Sequence, residues 1–340
     1  MKYVVGLGDF LVSLSPSGYL RFMQADSFDV FYTGAEANVC ASLAQFWVKT
    51  QFVTRLPQND IAATGVANLR KYNVGTDYIA YGGDRIGALY LEKGAAQRPS
   101  KVIYDRKHTA ICEATPEHFD FDAIFADAKW FHFTGITPAL SETTPAVCEA
   151  ACKAAKKYGV TISCDLNYRK NLWSTAKAKE IMEQLLPYVD VLIANEEDAE
   201  KVLGLKARET DVTSGVLNVA GYVDVAKQIS ETFGVQYVAT TLRKSISASD
   251  NLWSAMLYHN GEAYVSREYA IHIVNRVGGG DSFGAGLIYG MLQGWDEQQV
   301  IEFATAASCL KHSIENDFNI ASVDEVMKLV NGDGSGRVQR

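Results

Sequence analysis

The chain has 340 residues, 48% of them hydrophobic, and a net charge of −8. That length allows one large domain or two average ones, with ample material for a buried core. An acidic balance without any run of Lys and Arg excludes a nucleic-acid partner, whose phosphates need clustered cations. No stretch approaches the roughly 18 apolar residues of a membrane span.

In chain order, Met1 to Gly6 runs straight into an apolar strand at 3–7, without the charged region and long apolar core of a secretory leader. Residues 35–47 have helical periodicity, 51–54 read as a strand and 61–72 as a helix. The unit repeats at 129–133 (strand), 145–158 (helix) and 160–164 (strand). Residues 190–193 form a strand leading to a helix that begins near Asn195, and 236–240 form another strand. The glycine-rich segment 277–290 opens a further helix. Strands alternating with helices predict an α/β fold with a mostly parallel central sheet.

Two stretches, at about 10–33 and 85–111, break this rhythm. They alternate polar and apolar residues at period two, with Gly18, Gly82, Gly83 and Gly94 marking turns. They predict a small separate β-sheet serving as a lid over the crevice of the main one; a central antiparallel hairpin is the alternative. No linker divides the chain, so residues 1–330 are expected to form one domain and the polar 331–340 a frayed tail. Of six scattered cysteines, Cys148 and Cys152 lie one helical turn apart, but nothing completes a metal-ligand set around them. They read as small helix-packing residues of a reduced, cytoplasmic protein.

The strongest chemical signal is Asn275-Arg276-Val277-Gly278-Gly279-Gly280-Asp281-Ser282-Phe283. Three glycines allow a tight turn with bare amides, and a helix start aims those amides and its dipole at one place. That place suits an anion, above all the charge on a transferred phosphoryl group. Asp281 at the same mouth can accept a proton from an attacking hydroxyl. An Asp N-cap after a flexible turn explains the local pattern equally well. No Gly-Lys-Ser/Thr occurs, which excludes a Walker P-loop. Gly6-Leu7-Gly8 lacks the third glycine of a dinucleotide fingerprint, Leu11 standing in its place.

The segment Val277 to Phe283 resembles the C-terminal signature of the ribokinase-like (phosphofructokinase-B) carbohydrate kinases. Thr33-Gly34-Ala35-Glu36-Ala37-Asn38 resembles their N-terminal signature, and Asn195-Glu196-Glu197-Asp198 their Asn-x-x-Glu segment, with Asp198 in place of the final Glu. The resemblance implies a three-layer α/β/α core with a β-sheet lid, and in-line transfer of the ATP γ-phosphate to a sugar hydroxyl. Asp281 would be the base and the amides of Gly278, Gly279 and Gly280 the anion hole. Asn195 and Asp198 would organise magnesium through the ATP phosphates. Asn195, Thr240, Gly278, Gly280 and Asn316 would contact the nucleotide, residues 240–253 forming part of its site. A homo-oligomer is expected.

Within the family the sequence is similar to 2-keto-3-deoxygluconate kinases. The similarity lies in Gly34-Ala35-Glu36-Ala37-Asn38, Tyr104-x-Arg106 and Asp165-x-Asn167-Tyr168-Arg169. This implies that Gly34, Ala35, Asn38, Tyr90, Tyr104, Arg106, Asn167, Arg169 and Asp281 hold a sugar acid, both arginines near its carboxylate. A ribokinase, a fructokinase, an epimeric sugar-acid kinase and an inactive sugar sensor remain as alternatives. Where the family signature begins Asp-Thr, this chain has Asn275-Arg276. An amide offers a monovalent cation only a dipole, so weak or absent potassium activation is expected.

Overall fold

The computed structural model describes residues 2–206 and 219–334. In chain order these form β1 (Tyr3–Leu7), β2 (Leu11–Ser15), β3 (Asp29–Thr33), α1 (Ala35–Gln45), β4 (Thr50–Val53), β5 (Arg55–Leu56), α2 (Asp60–Lys71), β6 (Ala80–Tyr81), β7 (Gly87–Glu92) and β8 (Lys101–Asp105). There follow α3 (Phe121–Ala126), β9 (Ala128–Thr134), α4 (Thr144–Lys157), β10 (Thr161–Asp165), α5 (Thr175–Leu185), β11 (Val191–Ala194) and a short α6 (Glu196–Asp198). The chain ends with α7 (Val219–Phe233), β12 (Tyr237–Ser245), β13 (Asp250–His259), β14 (Glu262–Val265), β15 (Tyr269–His272), α8 (Gly279–Gln293), α9 (Glu297–Lys311) and α10 (Val323–Val330).

The main sheet has nine strands, ordered β14-β13-β12-β11-β10-β9-β1-β4, with β15 also paired to β13. From β4 to β12 every pairing is parallel; β13 turns back antiparallel and carries β14 and β15. Such strands need cover on both faces, and successive residues of β1 show how it is provided. Val5 and Leu7 pack with Phe131, Cys148, Cys152 and Ile162 in one layer. Val4 packs with Val39, Phe283 and Phe303 in the other. Cys148 and Cys152 are thus buried where α4 meets the sheet, and no group of side chains suited to a metal is found among the described residues. No described helix is long and apolar enough to cross a membrane.

The two period-two stretches form a separate four-stranded sheet, ordered β3-β2-β7-β8, and no central hairpin. One cross-strand row runs Phe31, Ser13, Leu89, Tyr104; the next runs Val30, Leu14, Tyr90, Ile103. Because side chains alternate faces along a strand, these rows lie on opposite sides of the sheet. The Leu89 side packs inward, with Leu11, Leu89 and Leu91 against Val277 of the glycine turn. Of the expected tail, residues 335–340 lie outside the described residues.

Candidate active site

The carboxyl ends of β10 and β11, the middle of β12, the glycine turn before α8 and the inner face of the small sheet enclose a cavity of about 670 Å³. A crevice beyond the carboxyl ends of parallel strands is where an α/β sheet binds ligands. Two other depressions of similar size, around Trp295 and around Trp173, gather no comparable set of groups.

The glycine turn forms one wall. Gly278 caps α8 with φ of 83°, and a side chain there would overlap the carbonyl oxygen of Asp317. Gly280 has nothing within 4 Å of where a Cβ would stand, because it faces the open cavity. Gly279 donates its amide to the Arg276 carbonyl at 3.3 Å. A helix's first amides have no internal acceptor, and those of Gly278, Gly280 and Asp281 find no backbone carbonyl among the described residues. The available donors are therefore Gly278, Gly280 and Asp281, with Gly279 turned to the rear against the His312 ring.

Asp281 is fixed from the opposite wall. Asn38 Nδ2, on α1, donates to Asp281 Oδ2 at 2.6 Å, while Asn38 Oδ1 accepts from Thr33 Oγ1 at 3.3 Å. Burial raises the Asp281 carboxyl to about 6, nearby Asp317 adding to the rise while Asn38, Arg169 and Lys311 oppose it. Burial is likewise the first cause that lifts Asp198 to about 6, and it pushes Asp165 well above the carboxylate range with help from Asp198 and Asp281. Arg169, an exposed residue on the cavity wall, is the cation that opposes all three rises.

Below the small sheet, Arg106 is nearly buried, with its guanidinium carbon 4.0 Å from the centre of the Tyr104 ring. Its Nε lies 3.7 Å from Asp9 Oδ2, and neither Asp9 oxygen has a hydrogen-bond partner among the described residues. Sequence reasoning gave no place to Asp9, which lies two residues past β1 behind the cavity wall that Arg106 lines. Asn167 adopts φ of 41°, its amide donating to Asp165 Oδ1 at 3.1 Å, so the chain turns just past β10. Asp165, Asn167 and Arg169 nevertheless all line the cavity, together with Gly34, Ala35, Asn38, Tyr104 and Arg106.

Asn195 and Asp198 also line it. Asn195 Oδ1 accepts from Asp198 N at 2.8 Å as the cap of α6, leaving Asp198 as the buried carboxylate of the pair. Four expected residues stand elsewhere. Tyr90 lies on the outer face of the small sheet, edge-on to Phe28 at 6.1 Å. Gly279 faces rearward, as described. Thr240 is one residue out of phase with the wall, which Thr241 and Arg243 line instead. Asn316, at φ of 63°, belongs to the turn that delivers Asp317. Arg243 and Arg276 were given no role by the sequence, yet both line the cavity beside the glycine turn. Burial lowers the Arg276 guanidinium, and Arg243 adds to the effect as a neighbouring like charge.

A buried carboxylate beside free amides at a helix start, beneath a small β-sheet, is an arrangement suited to phosphoryl transfer. The sequence matches the pfkB family carbohydrate kinases over residues 1–316, and the chain belongs to that family. It is similar to the crystal structure of a 2-dehydro-3-deoxygluconokinase from Thermotoga maritima. The two are 51% identical, with a TM-score of 0.94 over 97% of this chain and 98% of that one. A 2-dehydro-3-deoxygalactonokinase from Haloferax volcanii is 30% identical over 98% of both chains. A 2-dehydro-3-deoxygluconokinase from Thermoproteus tenax is 25% identical over 93% of this chain and 90% of its own length.

Proposed function

We propose that this carbohydrate kinase phosphorylates 2-keto-3-deoxygluconate with ATP, giving 2-keto-3-deoxy-6-phosphogluconate and ADP. The observation that carries the reading is the meeting of Arg106 and Arg169 with Asp281 in one cavity. Guanidinium groups recognise a carboxylate, and Asp281 serves the hydroxyl at the other end of the sugar acid. Asp281 takes the hydroxyl proton as that oxygen attacks the γ-phosphorus, and the bond to the β-phosphate oxygen breaks. The amides of Gly278 and Gly280, with that of Asp281, receive the charge on the transferred group.

Arg243 and Arg276, two cations beside the turn, suit the remaining phosphates, with Thr240 and Asn316 behind that wall. Magnesium bound to nucleotide phosphates needs one or two carboxylates rather than a full cage. Asp198 supplies one, Asn195 aiming it as the cap of α6. The ion neutralises phosphate charge when bound. The small sheet acts as the lid, its inner row covering the sugar. Six unpaired cysteines accord with a reduced, cytoplasmic setting. The exposed apolar outer face of the small sheet accords with a homo-oligomer.

The Thermotoga relative favours the gluconate-derived acid, while the Haloferax relative keeps its C4 epimer as a second reading. ADP release measured across both epimers, gluconate, ribose and fructose decides between them. Turnover is expected on the two keto-acids and little on the neutral sugars. Arg106→Ala and Arg169→Ala should each weaken sugar-acid binding by roughly 2–5 kcal/mol with ATP affinity little changed. An unchanged sugar-acid KM in both variants would overturn the carboxylate assignment.

A further inference from the structure

Helix α9 ends on Lys311, and this side chain turns inward: it is 0% exposed. A lysine at a helix C-terminus ordinarily carries its ammonium to water. Here Nζ donates to the carbonyl of Ile314 at 3.1 Å, and it forms no ion pair among the described residues. An ammonium has three donors, so two are left without a partner in the described protein. A Cβ at Gly278 would lie 3.2 Å from Lys311 Cε, which puts the charged end directly behind the glycine turn. Gly278 lines the cavity and Lys311 does not.

Burial pulls the Lys311 ammonium down to about 8, while Asp317, Asp281 and Glu315 favour its charged form and Lys93 opposes it. It therefore remains a cation at neutral pH. Capping the Ile314 carbonyl is a poor reason to bury a full charge, since burial of a cation with one neutral acceptor is unfavourable. The position gains meaning if negative charge gathers just across the turn. Asp317 is nearby, also buried, with Oδ2 lacking any hydrogen-bond partner among the described residues.

We propose that Lys311 is a positioning residue for phosphoryl transfer, its buried ammonium a resident monovalent cation behind residues 278–281. It holds the amides of the turn and the Asp317 carboxylate in place, and keeps the phosphoryl site positive without an ion drawn from solution. An ammonium and a potassium ion are alike in size and both take carbonyl oxygens. The space left by removing the side chain should thus admit either. This inference rests on the turn receiving the γ-phosphate, as in the reading above.

The test compares the parent with Lys311→Met and Lys311→Ala. Turnover is measured with tetramethylammonium as the sole monovalent cation, then with potassium, ammonium or methylammonium added. ATP and ADP affinities are measured by calorimetry alongside. The parent should be indifferent to the exchange. Lys311→Met should lose about 10- to 100-fold in kcat, with the sugar-acid KM unchanged and ATP weakened more than ADP. Lys311→Ala should recover activity with the small cations and not with tetramethylammonium.

A Lys311→Met enzyme within about threefold of the parent kcat would overturn the proposal, as would a loss in Lys311→Ala that no small cation restores. Should neither variant fold, the parent decides: loss of most of its activity in tetramethylammonium would assign the role to a mobile ion, whereas indifference supports Lys311. A parent that phosphorylates no sugar acid would refute the acceptor assignment alone, because the ATP-to-ADP affinity ratio still reports on Lys311.

Discussion

Asp281 is held between opposing influences: burial and Asp317 favour its neutral form, while Asn38, Arg169 and Lys311 favour the carboxylate. In the proposed role of base it must be ionised to accept a proton, so turnover should fall about tenfold per pH unit below about 6 and level off above it. Asp281→Asn should remove roughly a hundredfold or more of kcat while retaining ligand binding. The same raised value makes the ionised group a burden on the fold. Stability is fully present below the ordinary aspartate range and is lost as pH rises through about 6. Asp281→Asn should therefore melt higher than the parent above pH 6, by up to about 2–3 kcal/mol, and no higher near pH 4. A variant that keeps parental turnover would remove Asp281 from the chemistry. The local motif pointed to Asp281 and the resemblance to Asn38, Arg106 and Arg169, and these four line one cavity. Asp9 and Lys311 were not legible in the sequence, because each matters through a partner distant along the chain: Asp9 through Arg106, Lys311 through Gly278.

At the scale of elements, the start of α8 separates two glycines that look interchangeable in the sequence. Gly278→Ala forces a side chain into a left-handed position and onto the Asp317 carbonyl, so it should destabilise by about 2–4 kcal/mol. Gly280→Ala meets nothing in the protein and should fold normally, yet its methyl occupies cavity space and should cut turnover at least tenfold. Melting curves and kcat together check the pair; equal melting points would show that the turn is not built as described. The helices placed at 35–47, 61–72 and 145–158 match α1, α2 and α4 to within about two residues, whereas α3, α5, α7, α9 and α10 were not read. The antiparallel addition β13–β15 was not read, since its partners are set by tertiary pairing. Tyr90 was placed in the site by the resemblance, and alternation alone could not correct this, since it gives a strand two faces without saying which one turns inward.

For the whole molecule, the outer row Val30, Leu14, Tyr90 and Ile103 crosses all four strands of the small sheet, with Val30 57% and Ile103 46% exposed. Met23, Tyr19 and Phe28 extend the exposed apolar surface nearby. Contiguous apolar surface of this kind usually marks an interface. Light scattering at tens of micromolar should give a homo-oligomer for the parent and a monomer for a Val30→Lys, Ile103→Asp double variant of unchanged helical content. A monomeric parent would refute it. The small sheet itself leaves the main body near two glycines. A side chain at Gly34 would strike the Asp9 carbonyl, and one at Gly8 the Glu36 carboxylate. Glu36 is in turn anchored by Thr134 and Thr137, through three hydrogen bonds of 2.8–2.9 Å. The two crossing strands are therefore pinched together against a fixed post. For the proposed lid such a joint would be a fulcrum, allowing a pivot rather than a slide. Displacement would then grow with distance from the pinch, least at Leu11 and greatest toward the far strand that carries Tyr104, which lines the cavity.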